Sequence, residues 1–134
     1  MSEKARFVID TNFVIEHLRG NEQAKKVLSE LLPNQISFSV ITYLEFAEGE
    51  ATAKRTAKTS RSLQFFEPYE LLPLSVQGAL KAAREGIRLS ANRKDMNDLA
   101  IAATALEFDR TVLTANIRDF KRVKDLRVLN WKTL

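Results

Sequence analysis

The stretch Phe7-Val8-Ile9-Asp10-Thr11-Asn12 indicates the fold class of this chain. Its first three residues are aromatic or β-branched and apolar, which predicts a short buried strand. An acid and two polar residues follow at once, and residues 12–19 then have a helical pattern that Gly20 stops. A buried strand that leads directly into a helix is typical of an α/β protein with a parallel sheet.

The same alternation of strand and helix continues along the chain. Further strands are predicted at 36–40, 69–72, 112–114 and 127–129, and further helices at 22–32, 42–50, 53–66, 75–89 and 95–108. We find no internal repeat and no linker between domains. The pattern therefore predicts a single α/β domain over residues 1–134, with a mainly parallel sheet of about five strands.

The composition is that of an ordinary globular protein. Hydrophobic residues make up 45% of the 134 residues, and charged residues make up 28%. There is no cysteine, which suits a reducing compartment, and no segment has the pattern of a signal peptide. The longest uncharged apolar run, at 99–106, is too short to cross a bilayer. We therefore expect a cytoplasmic protein with no membrane partner.

The net charge of +4 is unevenly distributed. The segments 54–61, 81–94 and 118–127 contain most of the 21 lysine and arginine residues. A basic rim of this kind attracts a polyanion such as RNA through the release of counterions. Each cluster can equally be the solvated face of a surface helix, so the charge supports a nucleic-acid partner without establishing one.

Four acids lie beside short polar motifs at the ends of apolar runs: Asp10, Glu45, Asp98 and Asp119. Ligands of parallel α/β sheets bind outside the carboxyl ends of the strands, where we expect these acids to gather. Carboxylates are the preferred ligands of Mg²⁺ and Mn²⁺, which hold a phosphate beside them. This arrangement favours a metal-dependent nuclease.

Each acid also has a purely structural explanation, and such explanations are common when the acids are taken singly. They are helix capping for Asp10 or Asn12, capping boxes for Thr42-x-x-Glu45 and Asp95-x-x-Asp98, and a surface turn for Asp119. Four coincidences at one edge of one sheet are harder to explain in this way. Capping also leaves Thr114 and Asn116 without a role.

Three further features concern packing. The helix at 95–108 is apolar and rich in small residues from Leu99 to Leu106, which predicts close packing that would hold Asp98 rigidly. The only histidine, His17, has no partner motif beside it and is predicted to be a surface helix residue. We expect Trp131 to pack the last strand against the core.

Three motifs together carry a resemblance to a known family. They are Ser39-Val40-Ile41-Thr42-Tyr43-Leu44-Glu45, Asn97-Asp98 before Ile101-Ala102-Ala103, and Thr114-Ala115-Asn116-Ile117-Arg118-Asp119-Phe120. In this order, and after Ile9-Asp10-Thr11-Asn12, they resemble the PIN-domain ribonucleases, and more narrowly the VapC toxins of toxin–antitoxin pairs. The resemblance implies a three-layer α/β/α sandwich around a parallel sheet of about five strands.

The resemblance also implies a site and a reaction. The resemblance implies that the catalytic acids of the family correspond to Asp10, Glu45, Asp98 and Asp119. The supporting polar residues that it implies are Asn12, Thr114, Asn116 and Asp95. Asp10 and Asp98 would hold the principal Mg²⁺ or Mn²⁺, and Glu45 and Asp119 would complete the pocket directly or through water. Asp95 either caps its helix or contacts a water on the metal. The implied reaction is the hydrolysis of RNA phosphodiester bonds, in tRNA or in a ribosomal RNA loop.

The partners implied by the resemblance are RNA, a second copy of the chain and a small antitoxin. The antitoxin would plug the acidic pocket, often with a basic side chain, and residues 42–66 are the candidate surface for it. Lysines and arginines of the predicted helix 53–66 and those after Arg118 would guide the RNA backbone.

Other functions remain open at this point. One is a PIN nuclease of RNA processing that is not a toxin, and another is a catalytically inactive module of the same fold that binds RNA or a partner. A phospho-acceptor receiver domain fits poorly. It needs adjacent acids after the first strand and an isolated aspartate after the third, whereas this chain has Asp10-Thr11-Asn12 and Tyr69-Glu70-Leu71-Leu72-Pro73.

Overall fold

The computed structural model describes residues 5–55 and 60–134. Within them, five strands form one sheet: β1 (Phe7–Ile9), β2 (Ile36–Ser39), β3 (Glu70–Leu72), β4 (Thr111–Thr114) and β5 (Val128–Asn130). The strand order is β3-β2-β1-β4-β5, and every neighbouring pair is parallel. The carboxyl ends of β1, β2 and β4 therefore lie side by side at one edge of the sheet.

Helices cover both faces of this sheet. They are α1 (Thr11–Leu18), α2 (Glu22–Glu30), α3 (Val40–Thr52), α4 (Arg61–Gln64), α5 (Val76–Arg88), α6 (Met96–Glu107) and α7 (Ile117–Lys121). One apolar cluster joins β1 and β2 to α1 and α2 and includes Phe13 and Trp131. A second cluster joins the opposite face to α5, α6 and the segment after α7, through Ile101 and Phe120. The predicted three-layer α/β/α sandwich is confirmed.

The helix α6 positions the site most firmly. Its residues from Leu99 to Ala105 are all buried, because small side chains let it pack closely between the sheet and α5. The prediction of a tightly packed helix after Asp98 is confirmed. Trp131 is also buried, with its ring edge-on to Phe13, as expected.

Two predictions about elements were wrong, and one helix was not predicted. The helix predicted at 53–66 is not found over the part of that range that the structure describes: α3 runs to Thr52, and Lys54 has a left-handed φ of 58° that turns the chain. In the rest of that range the structure describes only the short helix α4, and Lys58 lies outside the described residues. Val40 starts α3 instead of ending β2. The five-residue helix α7 was not predicted.

The environment of His17 also differs from the prediction of a surface residue. Its ring is half-buried between Phe13 and Phe65, at centroid distances of 6.4 and 5.2 Å. Burial, with a smaller effect of the nearby Lys25, lowers the pKa of His17. The imidazole therefore acts as a packing group for the aromatic cluster.

The helices of the described residues were compared with the length and hydropathy that a membrane-spanning helix needs. None of their helices is both long enough and apolar enough to cross a bilayer.

Candidate active site

Asp10 occupies the edge where β1 ends, and its carboxylate is 3% exposed. Its backbone N–H donates to the Leu113 carbonyl at 3.1 Å, so that β4 fixes its position. Oδ1 accepts the Phe13 N–H at 3.2 Å, and Oδ2 accepts the Thr114 hydroxyl. Asp10 thus caps α1, as the structural explanation proposed, and also stands buried at the sheet edge.

Glu45 lies on the second turn of α3 and faces α1. Its Oε1 accepts the Thr11 hydroxyl at 2.7 Å, and the Thr11 and Thr42 hydroxyl oxygens are 3.1 Å apart. Because Thr11 gives its single hydroxyl hydrogen to Glu45, Thr42 is the donor to Thr11. The capping-box interpretation of Thr42 and Glu45 is wrong, since Ser39 caps α3 and accepts the Ile41 N–H.

Asp119 sits in α7, beyond the end of β4. Its Oδ2 accepts the Asn116 side-chain amide at 3.1 Å, and the Arg122 guanidinium lies 3.7 Å from its Oδ1. Asn116 is itself held by its backbone N–H, which donates to the Thr114 hydroxyl oxygen at 2.9 Å. Thr114 therefore links the carboxylate of Asp10 to the segment that carries Asp119.

Asp98 is the acid whose pKa is affected by the charges of the four other acids. Burial raises its pKa to about 6, and the charges of Asp10, Glu45, Asp119 and Asp95 add to this effect in that order. The pKa of Asp10 is also raised, first by burial and in smaller part by Glu45, against the effect of its two hydrogen bonds. The other four carboxylates thus lie within electrostatic reach of Asp98.

Asp95 sits at the start of α6 but makes no side-chain capping bond, so the predicted Asp95-x-x-Asp98 capping box is not formed. It lines a small hollow together with Asp98, Asp119 and Arg122. The bottom of this hollow is apolar, since Leu99, Phe120 and Val123 complete its lining.

The structure brings together most, but not all, of the residues that the sequence singled out. The four acids, Asp95, Thr114 and Asn116 lie at one edge, whereas Asn12 is exposed on α1. Sequence reasoning missed Thr11, Thr42 and Arg122 as partners of the acids. Thr11 and Thr42 stand inside the quoted motifs, but their contact joins residues 31 positions apart and leaves no local signal.

Within residues 5–55 and 60–134, no group of three or more acidic or histidine side chains is arranged to hold one metal ion. The contacts give the reason, because Asp10, Glu45 and Asp119 are each turned toward a neighbouring protein donor. The donors nevertheless fit a hard divalent cation in kind, since all are carboxylate oxygens. The raised pKa of Asp98 also shows crowded negative charge that such a cation would offset.

Comparison with known proteins shows the family to which this chain belongs. The family model described as PIN domain matches residues 7–126. This chain is a PIN-domain protein. It is 30% identical over 128 residues to "Ribonuclease VapC" of Rickettsia bellii, an alignment that covers 91% of this chain and 93% of that protein. It is 28% identical over 131 residues to "Ribonuclease VapC1" of Haemophilus influenzae, covering 93% and 97%.

The fold of the PIN domain agrees with that of a solved VapBC structure. VapBC-1 from nontypeable Haemophilus influenzae superposes with a TM-score of 0.75 at 26% identity, over 94% of this chain and 98% of that one. The resemblance to the VapC ribonucleases noted in the sequence is therefore confirmed, and the chain belongs to that family. Nucleases of the PIN family generally need a divalent metal ion, with which the acidic edge of this domain is consistent.

Proposed function

We propose that this PIN domain is a metal-dependent endoribonuclease that acts as the toxin of a toxin–antitoxin pair and cuts tRNA or ribosomal RNA in the cytoplasm. One observation carries the proposal: Asp98 lies at the sheet edge within electrostatic reach of four other carboxylates, and its burial together with their charges raises its pKa to about 6. Capping and turn formation do not require such crowding, which costs stability unless a cation or a basic partner offsets it.

Asp10 and Asp98 are the proposed protein ligands of the principal ion, with Glu45 and Asp119 bound directly or through water. Asp10 is the most buried of the four, and Asp98 lies where the other charges act most strongly. A bound Mg²⁺ or Mn²⁺ would supply a Lewis acid that activates water for attack on the phosphate and offsets the charge that develops there.

The neighbouring polar residues orient these acids. Thr114 donates to Asp10 and accepts from the backbone of Asn116, so one hydroxyl sets the spacing between the end of β4 and Asp119. Thr11 holds Glu45 against α1. In the hydrolysis, water adds across one P–O bond, so that one RNA fragment keeps the phosphate and the other receives a hydroxyl.

The proposed antitoxin surface is the α1–α3 wall, which comprises Thr11–Leu18 and Val40–Thr52. This wall contains four glutamates and no lysine or arginine, and Leu44 is 54% exposed beside Glu45. A partner segment with a basic residue flanked by apolar ones would complement it in both charge and hydrophobicity. VapBC-5 from Mycobacterium tuberculosis, a solved structure 27% identical to this chain, is described as a member of the VapBC family of toxin–antitoxin systems, which supports an antitoxin partner.

The PIN domain is also proposed to form a homodimer. Val76, Leu80, Ala83 and Ile87 follow one another at spacings of four, three and four residues, which aligns them along one side of α5. Val76 is 77% exposed and Ile87 is 82% exposed. An apolar stripe of this length on the surface of one chain supports burial against a second chain.

Cleavage assays on purified tRNA and ribosomal RNA test the proposed activity. The protein should cut RNA with Mg²⁺ or Mn²⁺ present, should stop when EDTA is added, and should leave DNA of the same sequence intact. Addition of the product of a short gene adjacent to this one should inhibit cleavage. Absence of cutting with either metal would contradict the proposal and favour an inactive binding module, whereas cutting that no adjacent gene product inhibits would favour an RNA-processing nuclease.

A further inference from the structure

Exposed basic residues stand next in sequence to two of the acids that line the hollow, Asp95 and Asp119. The short 3-10 helix Arg93–Asp95 leads into α6, and α7 carries Arg118 and Lys121 beside Asp119. Arg93, Lys94, Arg118 and Lys121 are exposed, and we call these four residues the basic rim. The α1–α3 wall, in contrast, has no lysine or arginine.

The basic rim is held next to the acids by its sequence neighbours. Asp95 and Asp119 line the same hollow, so Lys94 and Arg118, each adjacent in sequence to one of them, lie close to it. Arg118 and Lys121 are three residues apart on α7, which puts them on one exposed side while Phe120 is buried against the core.

The charges of the basic rim are not used within the molecule. None of its four side chains forms an ion pair in the part of the chain that the structure describes. In contrast, Arg122, which follows directly, is paired with Asp119, and Arg88 and Lys81 are paired with Glu85. Exposed, unpaired cations next to a carboxylate cluster are available to an external polyanion.

We propose that the basic rim binds the phosphates of single-stranded RNA that flank the bond to be cut. The inference rests on the proposed ribonuclease function. It keeps the cations of residues 118–121 as the RNA guide and replaces those of the predicted helix 53–66 with Arg93 and Lys94. A polyanion is repelled by five carboxylates and needs cations within a nucleotide or two of them. The α6–α7 side supplies these cations, whereas the α1–α3 wall supplies only further negative charge.

The test measures binding in EDTA, where metal-dependent cleavage does not interfere. A fluorescein-labelled single-stranded RNA oligonucleotide is titrated with the full chain at several KCl concentrations, and the slope of log K against log salt concentration is determined. Three double variants are compared with the unmodified chain: Arg93→Gln with Lys94→Gln, Arg118→Gln with Lys121→Gln, and, as the matched control, Lys25→Gln with Lys26→Gln. Lys25 and Lys26 are exposed on α2, whose buried residues pack on the other face of the sheet.

Each rim variant should weaken RNA binding several-fold and reduce the salt slope by about 1.4, because each lost phosphate contact removes about 0.7. The control, with the same change in net charge, should reduce the slope by less than about 0.3. In cleavage assays with Mn²⁺, the rim variants should raise KM and leave kcat within about twofold.

Equal effects of the rim and control variants would overturn the inference, because they would reduce it to net charge. Unchanged RNA binding together with lost binding of poly-L-glutamate would also overturn it, and would assign the basic rim to an acidic protein segment. The proposed nuclease function fails separately: rim-dependent RNA binding without cleavage under any metal would refute the nuclease and leave the rim standing.

Discussion

At the residue scale, Asp98 carries an unfavourable charge in the metal-free protein. Its pKa of about 6 lies above the ordinary value of 3.8, because burial and four neighbouring carboxylates disfavour ionisation. The folded state therefore binds the proton more tightly than the unfolded state. Stability from this group is present at low pH and is lost as the pH rises from about 4 through about 6.

Asp98→Asn should consequently stabilise the metal-free protein at neutral pH. At pH 7.5 in EDTA we expect a gain of about 1–2 kcal/mol after allowance for solvent screening, and hence a Tm several degrees higher. The gain should disappear at pH 4. Thermal unfolding at the two pH values measures it, and addition of Mn²⁺ should raise the Tm of the wild type but not of the variant. A variant less stable than the wild type at pH 7.5 would contradict this view of Asp98.

Thr114 is expected to contribute to stability as well, because its buried hydroxyl forms hydrogen bonds with two partners. Thr114→Val leaves one oxygen of Asp10 and the Asn116 N–H without this partner. We expect a loss of about 1–3 kcal/mol in the free energy of unfolding and weaker Mn²⁺ binding. Urea denaturation measures the loss. The control, Thr133→Val, removes an exposed hydroxyl and should change stability by less than about 0.5 kcal/mol.

The sequence predicted residue types well and side-chain directions poorly. Asp10 and Asp98 were singled out because each directly follows or precedes a buried apolar run. The contact between Thr11 and Glu45 could not be predicted, because it depends on the approach of α1 to α3 across 34 residues. The same holds for the pairing of Arg122 with Asp119, since α7 was not predicted as a helix.

At the element scale, hydrogen bonds of Glu85 and Arg88 join α5 to the segment after α7, and we call this group of contacts the latch. Glu85 is 6% exposed, and it accepts hydrogen bonds from the Arg88 guanidinium at 2.6 Å and from the Lys124 N–H at 3.5 Å. Arg88 also donates to the backbone carbonyl of Arg122 at 2.7 Å. The latch therefore holds the end of the segment that presents Asp119 to the site.

Breaking this latch should affect both stability and the site. The bonds to Arg88, and in smaller part those to Lys124 and the charge of Lys81, lower the pKa of Glu85 to about 2. Its stabilising contribution is thus present above about pH 4.5 and is lost as the pH falls toward 2. Glu85→Gln should destabilise the protein by about 1–3 kcal/mol at pH 7 in urea denaturation.

The matched control for this variant is Glu107→Gln, on an exposed glutamate whose partner is the Ser75 hydroxyl. It should have little effect on stability. Hydrogen exchange should be faster in residues 119–124 of the Glu85 variant alone. Equal stability of the two variants would refute the latch.

Elements with a clear periodic or β-branched pattern were predictable, and short or locally ambiguous ones were not. The five strands were predicted to within one or two residues, because each is a brief apolar run between polar turns. Helix α7 has only five residues, too few to show a helical period. Residues 53–66 have a composition that favours helix, but the left-handed turn at Lys54 depends on tertiary context.

At the scale of the whole molecule, charge and apolar surface are divided among separate faces. The α1–α3 wall is acidic and apolar, the basic rim lies on the α6–α7 side, and the stripe of α5 is apolar. These surfaces differ in chemistry in the way that RNA, an antitoxin and a second copy of the chain would require. The net charge and the clusters of charge can be read from the sequence. Their distribution among separate faces cannot, because it depends on how the sheet orders the helices.

Ile87→Glu should weaken self-association without unfolding the chain, because the side chain is exposed in the single chain. We expect the dimer dissociation constant to rise by at least about tenfold in sedimentation velocity, since a charge would be buried in an apolar interface. Leu32→Glu changes another exposed apolar residue, which lies outside α5, and should have no such effect. Identical sedimentation of both variants and the wild type would exclude the α5 stripe as the dimer surface.

The central claim is that the acids at the sheet edge bind the metal that RNA cleavage requires. The most direct test is the initial rate of RNA cleavage as a function of Mn²⁺ concentration for the wild type, Asp98→Asn and Asp109→Asn. Asp109 is an exposed acid with a left-handed φ of 54°, which asparagine tolerates, and it pairs with Arg127. The wild type and the Asp109 variant should show the same saturable rate, and the Asp98 variant should be slower by at least about 100-fold at every concentration. Equal rates for all three proteins would contradict the account.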